Sequence, residues 1–211
     1  MIVIVNYGLG NLHSVRKALE IFTKDVIISD KPWDIKRADK IILPGVGHFR
    51  DAMCKIKKLG IFEALIEAAG DKPFLGICLG MQILFEESEE GKSEHRAQNT
   101  EHRKVESEKG LSIFKGRVVR FPRRLKVPHI GWNMVRFNKH PLFQGIPEKS
   151  WFYFANSYYP IPDEDVAIAT TGYGDIEFVS AVSKGYIFGC QFHPEKSSNV
   201  GLKMIENFVL L

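Results

Sequence analysis

Cysteine is scarce in this chain: only Cys54, Cys78 and Cys190 are present, and no two form a CxxC pair. An odd count without paired spacing argues against a disulfide framework and against a zinc site. It predicts free thiols in a reducing, cytoplasmic setting, with no bound metal. Long apolar runs are missing too. No stretch approaches the roughly 20 residues that a membrane-spanning helix needs, so no membrane role is expected. The opening MIVIVNYGLGN lacks a basic leader and reads as a first strand, not a signal peptide. Neither sign of charge dominates: 29 Lys and Arg stand against 25 Asp and Glu, a formal net charge of +4. The densest basic run, 115–126 (KGRVVRFPRRLK), comes with no nucleic-acid motif. It reads as a solvated edge, an anion site or a patch for an acidic partner, and nucleic acid is not an expected partner.

What remains is an ordinary globular composition, 45% hydrophobic and 26% charged over 211 residues. That suits a single domain over 1–211 with a real core. Residues 2–5 form an apolar β-branched run and read as a strand. A glycine-rich turn over 6–11 leads to helical spacing over 12–22. Strands follow at 25–29 and 40–43, helices at 49–58 and 60–69, a strand at 72–77 and a helix from 79 to about 87. Strands alternating with helices predict a mostly parallel sheet flanked by helices. Residues 88–108 are polar and charged and read as a loop or insertion. Strand-like stretches at 116–121, 129–137, 151–158, 166–171, 176–183 and 186–192 add antiparallel strands in the C-terminal half. A helix over about 199–209 closes the chain.

The most informative segment is Phe74-Leu75-Gly76-Ile77-Cys78-Leu79-Gly80-Met81-Gln82. A buried strand runs into Cys78, a helix begins directly after it, and glycines stand two residues away on either side. That is the spacing of a nucleophile elbow, where glycines let strand and helix pack closely around a strained turn. Such a turn lifts the side chain over the carboxyl edge of the sheet, where open α/β sheets bind ligands. A helix N-terminus favours a thiolate, the reactive form, and leaves the amide of Leu79 free to donate to an oxyanion. A lone cysteine reads better as a small buried hydrophobe; the two glycines reverse that preference. Cys54 and Cys190 lack this setting and are expected to be packing residues.

A thiol nucleophile needs a base, and the base an orienter. His193 stands in Phe192-His193-Pro194-Glu195, where a strand ends before a proline, and Glu195 follows on the same turn. On spacing alone this is equally a polar turn opening the last helix; beside the Cys78 elbow it is the better candidate for base and orienter. Pro44-Gly45-Val46-Gly47 follows the third strand at the same sheet edge and could aim a second amide, that of Val46, at an oxyanion. Taken alone, it is an ordinary strand-to-helix connection.

Together these pieces resemble the class I (triad) glutamine amidotransferases. PGVG followed by Phe49, GICLGMQ, GRVVRF, Pro128-His129-Ile130-Gly131-Trp132-Asn133, Tyr153-Phe154 with Ser157-Tyr158, and QFHPEKS narrow the likeness. They are similar to the glutaminase subunits of imidazole glycerol phosphate synthases, over nearly the whole chain in order. The resemblance implies a class I amidotransferase fold and a cysteine thioester mechanism with no cofactor. It casts Cys78 as nucleophile, His193 as acid and base, Glu195 as its orienter, and the amides of Leu79 and Val46 as the oxyanion hole. It makes Gly47, Gln82, Glu90, Ser157 and Tyr158 the holders of the glutamine's amino-acid end. It places Asn11, Trp132, Tyr153 and Lys196 on the face that docks a HisF-type cyclase, a (β/α)8 barrel, in a heterodimer that passes ammonia into histidine biosynthesis.

The chain departs from that pattern at Asn6, where Asp is common, at Asn156, where His is common, and at His48, where a small residue is usual. The alternative is a paralogue with the same glutaminase chemistry serving another synthase, such as one for a surface sugar. Glutaminases of pyridoxal phosphate synthesis share fold and reaction, but their loop after the third strand reads differently from PGVG. A dinucleotide fingerprint begins at Gly8-Leu9-Gly10 and fails at its third glycine, which would fall on His13. A non-catalytic binding module would not need Cys78, His193 and Glu195 together.

Overall fold

A computed structural model of the chain describes residues 1–90 and 107–211. Most of the expected 88–108 loop therefore lies outside the described residues. The first part runs β1 (Ile2–Val5), α1 (Leu12–Leu19), β2 (Val26–Ser29), α2 (Pro32–Arg37), β3 (Lys40–Gly45), α3 (Phe49–Lys58), α4 (Phe62–Asp71), β4 (Phe74–Cys78) and α5 (Leu79–Gln82). It continues with β5 (Phe85–Ser88), β6 (Glu108–Lys109), β7 (Phe114–Arg120), β8 (His129–Phe137), β9 (Ser150–Asn156), β10 (Tyr158–Pro162), β11 (Ala167–Tyr173), β12 (Ile176–Lys184), β13 (Ile187–Cys190) and α6 (Ser198–Leu210).

Nine strands form one sheet in the order β2-β1-β3-β4-β13-β12-β11-β8-β9. Its first five are mutually parallel, and β12, β11, β8 and β9 continue it antiparallel. This is the expected α/β class, a parallel core extended by antiparallel C-terminal strands. The parallel strands are apolar on both faces because both are covered. Val3, Val5, Ile41 and Leu43 join one core cluster, while Ile2, Ile4 and Ile42, their neighbours in sequence, join the other. On α3, Phe49, Ala52, Met53 and Ile56 make the buried stripe at helical spacing. Cys54 falls off that stripe and is exposed, which corrects its reading as a packing residue. Cys190 is buried as expected.

Two further expectations fail. The helix beginning at Leu79 stops at Gln82, and Ile83, Leu84 and Phe85 after it are all fully buried. Phe85 opens β5, which pairs with β7 in a second sheet of order β10-β7-β5-β6. Glu86 supports the switch by accepting from the Gly116 amide at 2.9 Å. The single strand read over 151–158 is two strands in different sheets, with Ser157 between them. Asn156 braces that corner, its Nδ2 donating to the Tyr158 carbonyl at 3.0 Å. The chain beyond each departure, at Glu90 and at Ser157–Tyr158, reaches the cavity at the carboxyl end of β4, where Cys78 stands.

Candidate active site

Cys78 ends β4 with φ 55° and ψ −113°, a left-handed conformation for a residue with a side chain. Such strain persists only where the surroundings enforce it. Here the crowding is between backbones. A Cβ on Gly80 would lie 1.7 Å from the Leu43 carbonyl oxygen, and one on Gly76 would lie 2.8 Å from Gly80 and Met81. The two flanking glycines therefore let α5 sit directly on β3 and β4, and the turn between must carry Cys78 outward.

Gly45, the last residue of β3, is in register with Cys78. It is crowded as well: a Cβ there would lie 2.3 Å from the Tyr7 hydroxyl. Tyr7 is buried and donates to the Pro44 carbonyl at 2.7 Å, so it pins the start of the PGVG loop beside the nucleophile. Burial, with Cys78 nearby, raises the Tyr7 phenol and keeps it a neutral donor. Val46 is half-exposed, and Gly47 has φ 104°, a value that favours glycine.

His193 lies on the turn after β13. Its Nδ1 meets Glu195 Oε1 at 2.9 Å, and the two side chains are 3% and 2% exposed. The turn is clamped to β9. The His193 amide donates to the Tyr153 carbonyl at 2.8 Å, the Tyr153 amide donates to Ser197 Oγ at 2.9 Å, and Ser197 Oγ donates to the His193 carbonyl at 2.6 Å. Burial pushes the imidazole down, yet the charges of Cys78 and Glu195 outweigh it, and the net effect raises the histidine to about 10. The site thus favours an imidazolium between two acidic groups.

A cavity of about 760 Å³ opens over Cys78. Val46, Gly47, Leu79, Gln82, Glu90, Ser157 and Tyr158 all line it, so the structure brings together every residue expected at the oxyanion hole and the substrate. Their present partners differ. Gln82 Nε2 donates to the Tyr158 carbonyl at 3.0 Å and to Gln191 Oε1 at 2.9 Å, leaving its oxygen as the group to meet a ligand. The two Glu90 oxygens hold the start of α3: one is 3.0 Å from His48 Nδ1 and the other accepts from the Phe49 amide.

Three of the four residues expected at a partner interface also gather. The Lys196 ammonium lies 5.8 Å from the Tyr153 ring centre, and Trp132 meets Tyr153 edge-on at 6.2 Å. Ile130, Trp132 and Trp151 on β8 and β9 are exposed on this side of the molecule. Asn11 instead caps α1, its Oδ1 accepting from the Ser14 amide at 3.3 Å.

Sequence reasoning assigned no role to Tyr7 or to Gln191, although Gln191 opens the QFHPEKS segment. Arg120 and Arg123 belong to the basic run for which an anion site was one reading; both line the cavity, where positive charge suits an amino acid's carboxylate.

Comparison with known proteins agrees with this geometry. The family described as glutamine amidotransferase class-I matches residues 3–211. A structure titled as PurLQS from Thermotoga maritima has the same fold, with a TM-score of 0.72 at 19% identity, covering 99% of this chain and 97% of that one. The chain belongs to the class I glutamine amidotransferases. Curated relatives place it more narrowly. The imidazole glycerol phosphate synthase subunit HisH of Methanocaldococcus jannaschii is 48% identical over the full length of both chains. That of Methanosarcina acetivorans is 47% identical over 99% of this chain and 97% of its own. Within its class, then, this is a chain of the HisH family, the glutaminase subunits of imidazole glycerol phosphate synthase.

Proposed function

We propose that residues 1–211 act as one glutaminase domain through a Cys78–His193–Glu195 triad and hand ammonia to a HisF-type cyclase within a heterodimer. The observation that carries this reading is the strained Cys78 lining the cavity, together with the buried His193 whose Nδ1 meets Glu195. The Cys78 sulfur attacks the glutamine carboxamide carbon, and the resulting oxyanion is met by the amides of Leu79 and Val46. His193 gives its proton to the departing nitrogen as the C–N bond breaks, leaving a γ-glutamyl thioester and ammonia. His193 then takes a proton from water as it attacks the thioester carbon, and glutamate leaves. Gly47, Gln82, Glu90, Ser157 and Tyr158 hold the amino-acid end of the substrate. Each Glu90 oxygen keeps acceptor capacity for the substrate beyond its contact with His48 or the Phe49 amide.

Asn11, Trp132, Tyr153 and Lys196 face the cyclase in this reading. Exposed aromatic side chains beside a cation suit a partner with an apolar rim and a carboxylate. A direct handover keeps ammonia out of bulk water, where it would be protonated and no longer nucleophilic. The mechanism also needs a free thiol, which fits a reducing cytoplasm. The PGVG loop supplies a means of control. Val46 is flanked by glycines, so its peptide can turn its amide toward or away from the oxyanion, and a docked, acceptor-loaded partner would favour the first state. Losing one such donor costs about 2.7–4 kcal/mol, or 10²–10³-fold in rate. The test is glutamate release by the purified chain with a HisF-type cyclase, with and without the ribonucleotide acceptor. Stimulation on that scale is expected; equal rates in all mixtures would overturn the reading.

A further inference from the structure

Gln191 follows β13 directly and is fully buried. Its backbone N–H and both polar atoms of its side chain are engaged. Its amide donates to the Ser180 carbonyl at 2.9 Å, its Oε1 accepts from Gln82 Nε2 at 2.9 Å, and its Nε2 lies 3.6 Å from Cys78 Sγ. The orientation of this side chain is forced by its neighbours. Gln82 also reaches the Tyr158 carbonyl, which can only accept, so Gln82 must turn its nitrogen inward. Gln191 must then present its oxygen to Gln82, and the N–H that remains points at the sulfur.

We propose that Gln191 is a third member of the nucleophile's environment, a fixed N–H donor that holds negative charge on Cys78 Sγ. The proposal rests on the reading of Cys78 as the glutaminase nucleophile. An N–H donor binds a thiolate more strongly than a thiol, because hydrogen bonds to ionised acceptors are about twice as strong as neutral ones. The bond therefore acts at two points. In the resting enzyme it favours the thiolate alongside His193. In the second half of the reaction water has added to the thioester carbon, the C–S bond breaks, and its electron pair returns to sulfur, where the same N–H receives it. Charge on sulfur develops in that transition state, so the donor accelerates thioester hydrolysis and does not merely hold the resting site. Donation runs outward from Gln82: its Nε2 donates to the Tyr158 carbonyl in the cavity wall and to Gln191, which in turn donates to the sulfur.

The test uses full-length chain carrying Cys54→Ser, which removes the exposed thiol, with Gln191→Leu as the variant and Gln82→Met as a second. Iodoacetamide labelling of Cys78 is followed against pH, and turnover is measured with cyclase and acceptor. Gln191→Leu is expected to move the midpoint of the labelling profile to higher pH, lower kcat about tenfold and leave KM nearly unchanged. It should also increase the γ-glutamyl thioester trapped by acid quench and seen by mass spectrometry. Gln82→Met keeps the donor but frees its orientation, and should shift the labelling profile in the same direction by less. A loss of packing alone would lower labelling and turnover without raising thioester occupancy. Labelling profiles and thioester occupancy equal to the parent's in both variants would overturn the role of Gln191. A parent that releases no glutamate would instead bring down the glutaminase reading itself.

Discussion

His193, on the turn after β13, and His129, at the start of β8, are 3% and 4% exposed, yet their surroundings drive them to opposite charge states. His129 is stacked between Tyr173, with ring centres 4.1 Å apart, and Phe154, at 4.9 Å, with Phe121 and Phe178 edge-on. Burial lowers it to about 4. A contact with Asn156 pulls the other way but is outweighed, and the contact with Asn133 agrees with a neutral ring. Asn133 Oδ1 accepts from the Met134 amide, so its Nδ2 must be the group 3.3 Å from His129 Nε2, and that nitrogen must be the lone-pair side. His193 also loses from burial, but the charges of Cys78 and Glu195 more than restore its proton, to about 10. One strand serves both sites: Tyr153 of β9 clamps the His193 turn through its backbone, and Phe154, on the opposite face, stacks on His129. Burial alone therefore makes a histidine an inert part of a core. It keeps its proton where the chain also buries acidic groups against it.

The largest effect should come from removing the acidic group that most distinguishes the two sites. Cys78→Ala is expected to cut glutamate release, measured with partner and acceptor, by at least ~10⁴-fold, the scale seen when a triad nucleophile is lost. It should also lower the histidine titration that NMR assigns to His193, since Cys78 is among the groups that raise it. A His193 titration unmoved by the substitution would mean that the coupling drawn here is wrong. The matching experiment, His193→Ala, should nearly abolish turnover and spare glutamine binding measured by calorimetry. Turnover that survives would show that another group is the base.

A smaller loss is expected from the second acidic group. Glu195→Gln keeps the shape of the side chain and removes its charge, so kcat should fall on the order of 10²-fold or more. The stability windows of the two histidines are also opposed. His193 is raised, so its contribution to stability is complete below its unfolded value of 6.5 and is lost as pH rises through about 10. In Glu195→Gln that alkaline loss should begin at lower pH and be smaller. Urea unfolding at pH 7 and pH 9 measures it, and equal losses in parent and variant would count against the Glu195 contribution.

The two sites were not equally legible in the sequence. Cys78 could be placed on its turn because flanking glycines answer a local steric demand, here a Cβ that would sit 1.7 Å from a carbonyl oxygen. His193 and Glu195 are two residues apart, so one turn holds both. The parallel strands were visible as apolar runs because both of their faces are covered. The rest was set by distant partners. Nothing within 79–87 says that β7 will claim Phe85–Ser88 for a second sheet, or that residue 157 is a corner between sheets. Gln191 meets Gln82 and Cys78 across 109 and 113 residues of sequence, and Tyr7 meets Pro44 across 37. His129 stood within a motif, yet its aromatic cage comes from β9, β11, β12 and the segment after β7.

The smallest expected effect, and the one that isolates burial from charge, lies at His129. Its folded value of about 4 is below the unfolded 6.5, so the folded state refuses a proton that the unfolded chain accepts. Stability should then be complete above pH 6.5 and fall as pH drops toward 4, by at most about 3 kcal/mol from this group. His129→Phe preserves a ring between Tyr173 and Phe154 and removes the titration. It forfeits the Asn133 contact, a roughly constant cost of about 1 kcal/mol. The variant should therefore be slightly less stable than the parent at pH 7 and lose less on acidification, so that the two urea-unfolding curves converge or cross between pH 6.5 and 4. Parallel pH dependences would mean that His129 is not the neutral, caged counterpart of His193, and the contrast between the two sites would have to rest on the triad alone.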